Sequence, residues 1–177
     1  RGEVCGIMAR PGIGKTLLLC HVIRHAVSLN IPTVLFSLEM PVDQIVSRLA
    51  RSAFELGREE LEAEINNGTF SDDAYRLGHG SLVIIDTAGL SMNQIEQRLR
   101  LEKEPQLVLI DHMGLVGGQR GQSTYDRVSA IARQSKELAK RFQAAVILAI
   151  QVSRETGGDG SKELTLGSAR DSGVVEE

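Results

Sequence analysis

Tryptophan is absent from this chain, and two tyrosines and four phenylalanines supply all of its aromatic residues, 3% of the total. So sparse a set disfavours any mechanism that stacks nucleic-acid bases on aromatic rings. An excess of positive charge is absent too. The formal net charge is −3, and the bulk composition predicts no strongly basic nucleic-acid face. Cysteine is limited to Cys5 and Cys20, each inside an apolar run, which excludes a disulfide framework and reads as a protein of a reducing compartment. No Cys/His cluster has the spacing of a zinc site. Apolar runs last only a few residues, too short to cross a bilayer. The opening residues Arg1, Gly2 and Glu3 lack both a signal-peptide pattern and an initiator methionine, so an excised fragment is expected.

What is present is an ordinary globular composition, 42% hydrophobic and 24% charged. At about 150 residues per domain, 177 residues predict one domain with a core that needs no staples. Arginine outnumbers lysine fifteen to five.

Short apolar runs alternate with amphipathic stretches. Val4 to Ala9 reads as a buried strand ending in a Gly/Pro loop, and Lys15 to Leu29 as a helix packed under a sheet. Thr33 to Ser37 is a second strand. Pro41 suits the first turn of a helix that runs to about Phe54. Residues 58–79 predict two short helices, the first capped near Gly68. Leu82 to Asp86 is a third strand. Ser91 with Gln94 is a capping-box signature that opens a helix to about Lys103. Leu107 to Asp111 is a fourth strand, and Gly114 to Thr124 a mobile loop. The three- and four-residue steps from Val128 to Phe142 predict a one-faced helix, followed by a fifth strand from Ala145 to Ile150. Residues 154–163 read as a flexible Gly-rich loop. Apolar strands separated by helices imply an α/β fold, a mainly parallel sheet covered on both faces. Ligands of such sheets sit at the carboxyl ends of the strands.

The candidate chemistry falls at those ends. Ala9, Arg10, Pro11, Gly12, Ile13, Gly14, Lys15 and Thr16 follow a strand, open a helix and fit the phosphate-binding loop G/A-x-x-x-x-G-K-[ST]. Its glycines let backbone N–H groups turn toward phosphate oxygens, and the helix start adds a positive dipole end. Lys15 is expected to reach the β- and γ-phosphates and Thr16 to ligate Mg²⁺. A second metal carboxylate is needed at a strand end. Asp111 and Asp86 both qualify, and Asp111 is preferred because its strand is longer and more apolar and precedes a loop. Either could instead cap a helix. Glu39, two residues past the second strand, is a candidate for activating water near the γ-phosphate, or else complements the dipole of the helix at Pro41. Gln151 follows the fifth strand, where its amide could sense the γ-phosphate.

Together these residues resemble the ATPase domain of the hexameric replicative DNA helicases of bacteria and phages, the DnaB-like family with a RecA-type core. Residues 9–16 resemble the family's A-R-P-x-x-G-K-T, and Leu35 to Pro41 its F-S-L-E-M segment with the catalytic Glu. Asp86 to Ser91 resembles D-T-P-G-L-[ST], and Leu109 to Leu115 the metal-binding I-D-Y-L-Q-L. Arg127 to Arg133 and Leu138 to Lys140 resemble the helix that follows. Gln151 to Arg154 resembles Q-L-[NS]-R, and Leu166 to Glu177 a stretch that lies near DNA. The resemblance implies a RecA-like P-loop NTPase core using ATP and Mg²⁺, with Glu39, Lys15 and Gln151 catalytic and Thr16 and Asp111 at the metal. It implies a ring of six copies around single-stranded DNA, 5′ to 3′ translocation and duplex unwinding. Primase and a helicase loader are the further partners, in a bacterial cytosol or a phage-infected cell. Arg120, Arg170, Asp171 and Gly173 are the candidate DNA contacts. His112 stands where the family usually has Tyr, and reads as a packing or interface substitute; Gly114 stands where it has Gln. The arginine finger, the final strands, the N-terminal primase-interacting domain and the linker helix have no counterpart in residues 1–177. A partial domain, weakly active and not ring-forming by itself, is therefore expected. A RecA-type ATPase that is not a helicase, a recombinase or clock-type regulator, would share Lys15, Thr16, Glu39 and Asp111. A small-molecule kinase would use the same phosphate loop but needs an acceptor pocket and an Arg-rich lid. A binding-only remnant would not need Glu39.

Overall fold

The computed structural model describes residues 2–68, 81–117 and 124–151. Its elements run β1 (Val4–Ala9), α1 (Lys15–Ser28), β2 (Thr33–Ser37), α2 (Val42–Phe54), α3 (Arg58–Asn66), β3 (Leu82–Ile85), α4 (Met92–Leu99), β4 (Leu107–Asp111), a 3-10 turn (Met113–Leu115), α5 (Thr124–Phe142) and β5 (Ala145–Gln151). All strand pairs are parallel, in the order β1-β5-β4-β2-β3.

Successive strand side chains point to opposite faces, so continuous apolar runs bury both. Val34, Phe36, Val108 and Ile110 pack on one side with Ile95 and Leu99 of α4 and Ile131 and Leu138 of α5. Leu35 and Leu109 pack on the other with Leu19 and Ile23 of α1 and Ile45 and Leu49 of α2. Every residue of the central strands β2 and β4 is buried. Phe36, Ile45 and Ile95 are wholly inaccessible, and each such side chain contributes about 1.5–3 kcal/mol by leaving water.

Several local expectations shift. Strand β1 is not buried. It lies at the sheet edge, paired only with β5 among the described residues, and Cys5 and Gly6 are exposed. Pro41 is not in the first turn of α2. It is the extended residue before it (φ −67°, ψ 157°), and its carbonyl accepts the Ile45 N–H. Helix α4 ends at Leu99, short of Lys103. Its apolar stripe of Met92, Ile95 and Leu99 is spent there, and Leu101 is 75% exposed. Pro105 also disfavours helical backbone just before it. The capping box is as expected: Ser91 Oγ accepts the Gln94 N–H, and Gln94 Oε1 accepts the Ser91 N–H. The stretch read as a loop begins with the 3-10 turn, and Gly117 bonds back to Leu90. The second helix expected before residue 80, residues 118–123 of the loop expected from Gly114 to Thr124, and the loop expected at 154–163 lie outside the described residues. Among the described residues no helix is long and apolar enough to cross a membrane.

Candidate functional site

Strand register brings four chain segments together at the carboxyl edge. Ala9 closing β1 is level with Gln151 closing β5, and Ser37 closing β2 is level with Asp111 closing β4. Between Ala9 and α1 the chain turns with Gly12 at φ 78° and Gly14 at φ 101°. Both are left-handed conformations that a β-carbon would penalise. The Ile13 N–H closes the turn on the Arg10 carbonyl, leaving Arg10 and Pro11 partly exposed and Ile13 largely so. Gly14 begins α1 with no side-chain cap, and no acidic residue stands in the first turn. The orphan N–H groups of a helix start and its positive dipole end are thus left for an anion.

Lys15 is buried, and among the described residues its ammonium donates two long hydrogen bonds, 3.3 Å to the Ala9 carbonyl and 3.5 Å to Gln151 Oε1. Burial lowers its pKa below the ordinary lysine value, opposed by the negative charges of Asp111 and then Glu39. Thr16 Oγ donates to Asp111 Oδ2 at 2.7 Å. Asp111 is 2% exposed, and its other oxygen, Oδ1, is buried with no hydrogen-bond partner among the described residues. An orphaned buried carboxylate oxygen is costly, and Oδ1 could be satisfied by a bound cation or donor.

Glu39 stands beyond β2, its side chain about half exposed. Its loop is tied at two points: the Leu38 N–H donates to the Asp111 carbonyl at 2.7 Å, and Ser37 Oγ donates to the Met40 carbonyl at 2.6 Å. Across from it is His112, whose Nε2 lies 3.7 Å from Glu39 Oε2 and whose Nδ1 accepts the Gly114 N–H at 3.1 Å. Burial lowers the His112 pKa, against the raising effects of Glu39 and then Asp111, while Lys15 adds to the lowering.

Lys15, Thr16, Asp111 and Gln151 thus form a connected group beside the phosphate loop, with Glu39 tied to the Asp111 strand. Arg120, Arg170, Asp171, Gly173 and Arg154 lie outside the described residues. Asp86 is elsewhere: its Oδ2 accepts the Val42 N–H at 3.0 Å and caps α2 across the sheet edge. The sequence carries no local sign that His112 faces Glu39, because the contact depends on the pairing of β2 with β4. The one available signal is the Gly two residues after it. A cleft of about 530 Å³ lies at the opposite, amino end, lined by residues such as Glu104, Pro105 and Arg141. It shares nothing with this chemistry.

Residues 1–177 match a family model described as the DnaB-like helicase C terminal domain. The replicative DNA helicase DnaB of Helicobacter pylori is 26% identical over 190 residues, which span all of this chain and 38% of that protein. The chain therefore covers well under half the length of that curated relative. Among solved structures, one described as an ATPase domain aligns at a TM-score of 0.82 and 25% identity, covering 97% of this chain and 64% of that one. A DnaB-like replicative helicase, described with its interactions with primase, aligns at 0.79 and 25% identity, covering 98% and 44%.

Proposed function

The chain belongs to the DnaB-like helicase C-terminal domain family, and on that premise we propose that it is the ATP-hydrolysing motor domain of a hexameric replicative DNA helicase, one that translocates 5′ to 3′ on single-stranded DNA and unwinds duplex. The observation that carries this reading is the Thr16–Asp111 contact: side chains 95 positions apart share a 2.7 Å hydrogen bond beside a helix start whose N-cap, Gly14, supplies no side-chain cap. Family membership favours the helicase over a recombinase or clock-type regulator with the same phosphate loop.

Thr16 and Asp111 fit a magnesium ion by donor chemistry, since hard divalent cations take oxygen ligands and Asp111 Oδ1 is buried without a hydrogen-bond partner among the described residues. Bound with ATP, magnesium would neutralise charge on the phosphate oxygens. The remaining work falls to the chain. Backbone N–H groups from Gly12 to Thr16 receive phosphate oxygens. Lys15, whose bonds to Ala9 and Gln151 are long, turns its ammonium to the β- and γ-phosphates and steadies the negative charge there. Glu39 accepts a proton from the attacking water. Gln151, level with Ala9 and next to Lys15, contacts the γ-phosphate and relays its loss to the segment that follows β5. Arg120, Arg170, Asp171 and Gly173 contact the DNA backbone, where a few arginines and N–H groups per copy suffice once multiplied around a ring. Primase and a loader are the partners of the intact protein, which works in a bacterial cytosol or a phage-infected cell.

In the intact protein, Lys15→Ala should abolish ATP binding, while Glu39→Gln should keep binding and lose turnover. The parent should unwind a forked duplex carrying a free 5′ tail. Normal turnover by Glu39→Gln overturns the base assignment, and ATP hydrolysis without unwinding overturns the helicase reading.

A further inference from the structure

His112 and Gly114 are two separate departures from the family's usual pattern in the sequence, and in space they form one contact. The His112 ring is buried, and its Nδ1 accepts the Gly114 backbone N–H at 3.1 Å. A ring nitrogen that accepts carries no proton, so the neutral imidazole bears its hydrogen on Nε2. A β-carbon at position 114 would stand 2.9 Å from Cε1 and 3.0 Å from Nδ1 of that ring. The ring therefore fits where it does because residue 114 is glycine. Its other nitrogen, Nε2, faces Glu39 Oε2 at 3.7 Å. The backbone on either side of Glu39 is tied down, by Leu38 to the Asp111 carbonyl and by Ser37 to the Met40 carbonyl. The pairing of two buried strands thus sets the His112 ring opposite the backbone of Glu39, whose half-exposed side chain spans the remaining distance.

The geometry points to His112 as a positioning residue for Glu39, acting with Gly114 as a unit: Gly114 sets the ring tautomer, and the Nε2–H donates to one carboxylate oxygen, leaving the other for the attacking water. This rests on the reading of Glu39 as the general base. A separation of 3.7 Å is longer than a hydrogen bond. Contacts of this kind tighten when the reacting complex forms, and the half-exposed Glu39 side chain can close the gap by a small rotation.

The test is steady-state ATP hydrolysis by the intact protein with four variants: His112→Phe, His112→Gln, Glu39→Gln and the double variant Glu39→Gln/His112→Phe. His112→Phe keeps ring volume and loses the donor. It should lower kcat about tenfold to hundredfold, as a small misplacement of a reacting group does, while KM and the dissociation constant for ATP stay within about twofold. His112→Gln, whose amide N–H can reach a similar point, should recover most of kcat. In the Glu39→Gln background, His112→Phe should change the residual rate by less than about twofold, because groups that act as a unit are not additive. If His112→Phe does not fold, His112→Leu, which also lacks the donor, replaces it. An unchanged kcat in His112→Phe with Glu39→Gln inactive overturns the positioning role alone. So does an equal loss in both backgrounds, or a His112→Gln variant no better than His112→Phe. Full activity in Glu39→Gln overturns the base reading itself, and with it this inference.

Discussion

Altering the Thr16–Asp111 hydrogen bond at its two ends should have different effects on stability. The bond is 2.7 Å long, and its acceptor is a carboxylate only 2% exposed, whose second oxygen is already orphaned. Thr16→Val keeps the side-chain shape and removes the hydroxyl that donates to that carboxylate. The buried charge then has no hydrogen-bond partner among the described residues. A bond to a charged group contributes about 1.5–3 kcal/mol, so a loss of about 2 kcal/mol is expected. For a chain of this size each kcal/mol shifts Tm by about 2–4 °C, which predicts a drop of about 4–8 °C. Asp111→Asn removes the charge and keeps an oxygen for Thr16 Oγ. A neutral amide is far cheaper to bury than a carboxylate, although Lys15 loses the pull of an opposite charge. Its Tm should equal or exceed that of the parent. Adding Thr16→Val to Asp111→Asn should cost at least about 1 kcal/mol less than Thr16→Val alone. Thermal and urea unfolding followed by circular dichroism, without nucleotide or metal, measures all four corners of the cycle. If Thr16→Val leaves Tm unchanged, or Asp111→Asn falls as far as Thr16→Val, then the carboxylate is not a costly buried charge that depends on the Thr16 hydroxyl. Stability gained by Asp111→Asn would be gained at the expense of the ligand position, as expected of a group kept for chemistry and not for packing.

Two further outcomes follow from contacts away from the phosphate loop. Asp86→Ala removes the carboxylate that caps α2 at Val42 and should cost about 1 kcal/mol in urea unfolding, with ATP binding unchanged; a loss of ATP binding would mean that Asp86 belongs to the site after all. Gly117→Ala would set a β-carbon 2.5 Å from the Gly89 carbonyl oxygen, a clash between backbones that cannot be relieved by a rotamer. It should destabilise by about 1–3 kcal/mol and expose to hydrogen exchange the Gly117 amide, which now bonds to the Leu90 carbonyl at 2.9 Å.

The parts legible in the sequence are those whose signal is local. Strands β2 and β4 are short apolar runs with nothing to dilute them, and their observed bounds, Thr33–Ser37 and Leu107–Asp111, are those expected. The glycines of residues 9–16 and the Ser91–Gln94 pair announce their geometry through residues only a few positions apart. What was not legible depends on which strands are neighbours. Cys5 is apolar in pattern yet exposed, because β1 takes the sheet edge. Asp86 caps a helix that begins 44 residues earlier in the chain, a bond possible only because β3 lies beside β2. His112 reads in the sequence as a packing or interface substitute because its approach to Glu39 exists only once Ser37 is paired with Asp111. Helix α4 stops early for a different reason: periodicity ran out before helix-compatible residues did.

An all-parallel sheet also gives the molecule a front and a back. Every strand delivers its last residue to the same rim, so Ala9, Ser37, Asp111 and Gln151 arrive together. The returns, such as the turn from Leu101 to Pro105, gather at the other rim, where Leu101 protrudes into solvent. The two rims are joined by β2 and β4, strands buried along their whole length. One residue inserted into either strand would turn every later side chain to the opposite face and carry Glu39 or Asp111 out of line. The same insertion between Leu101 and Pro105 would lengthen only an exposed return. The rear turns are thus the natural ground for length variation and for an attached dye or affinity tag, whereas the central strands admit changes of side chain but none of length.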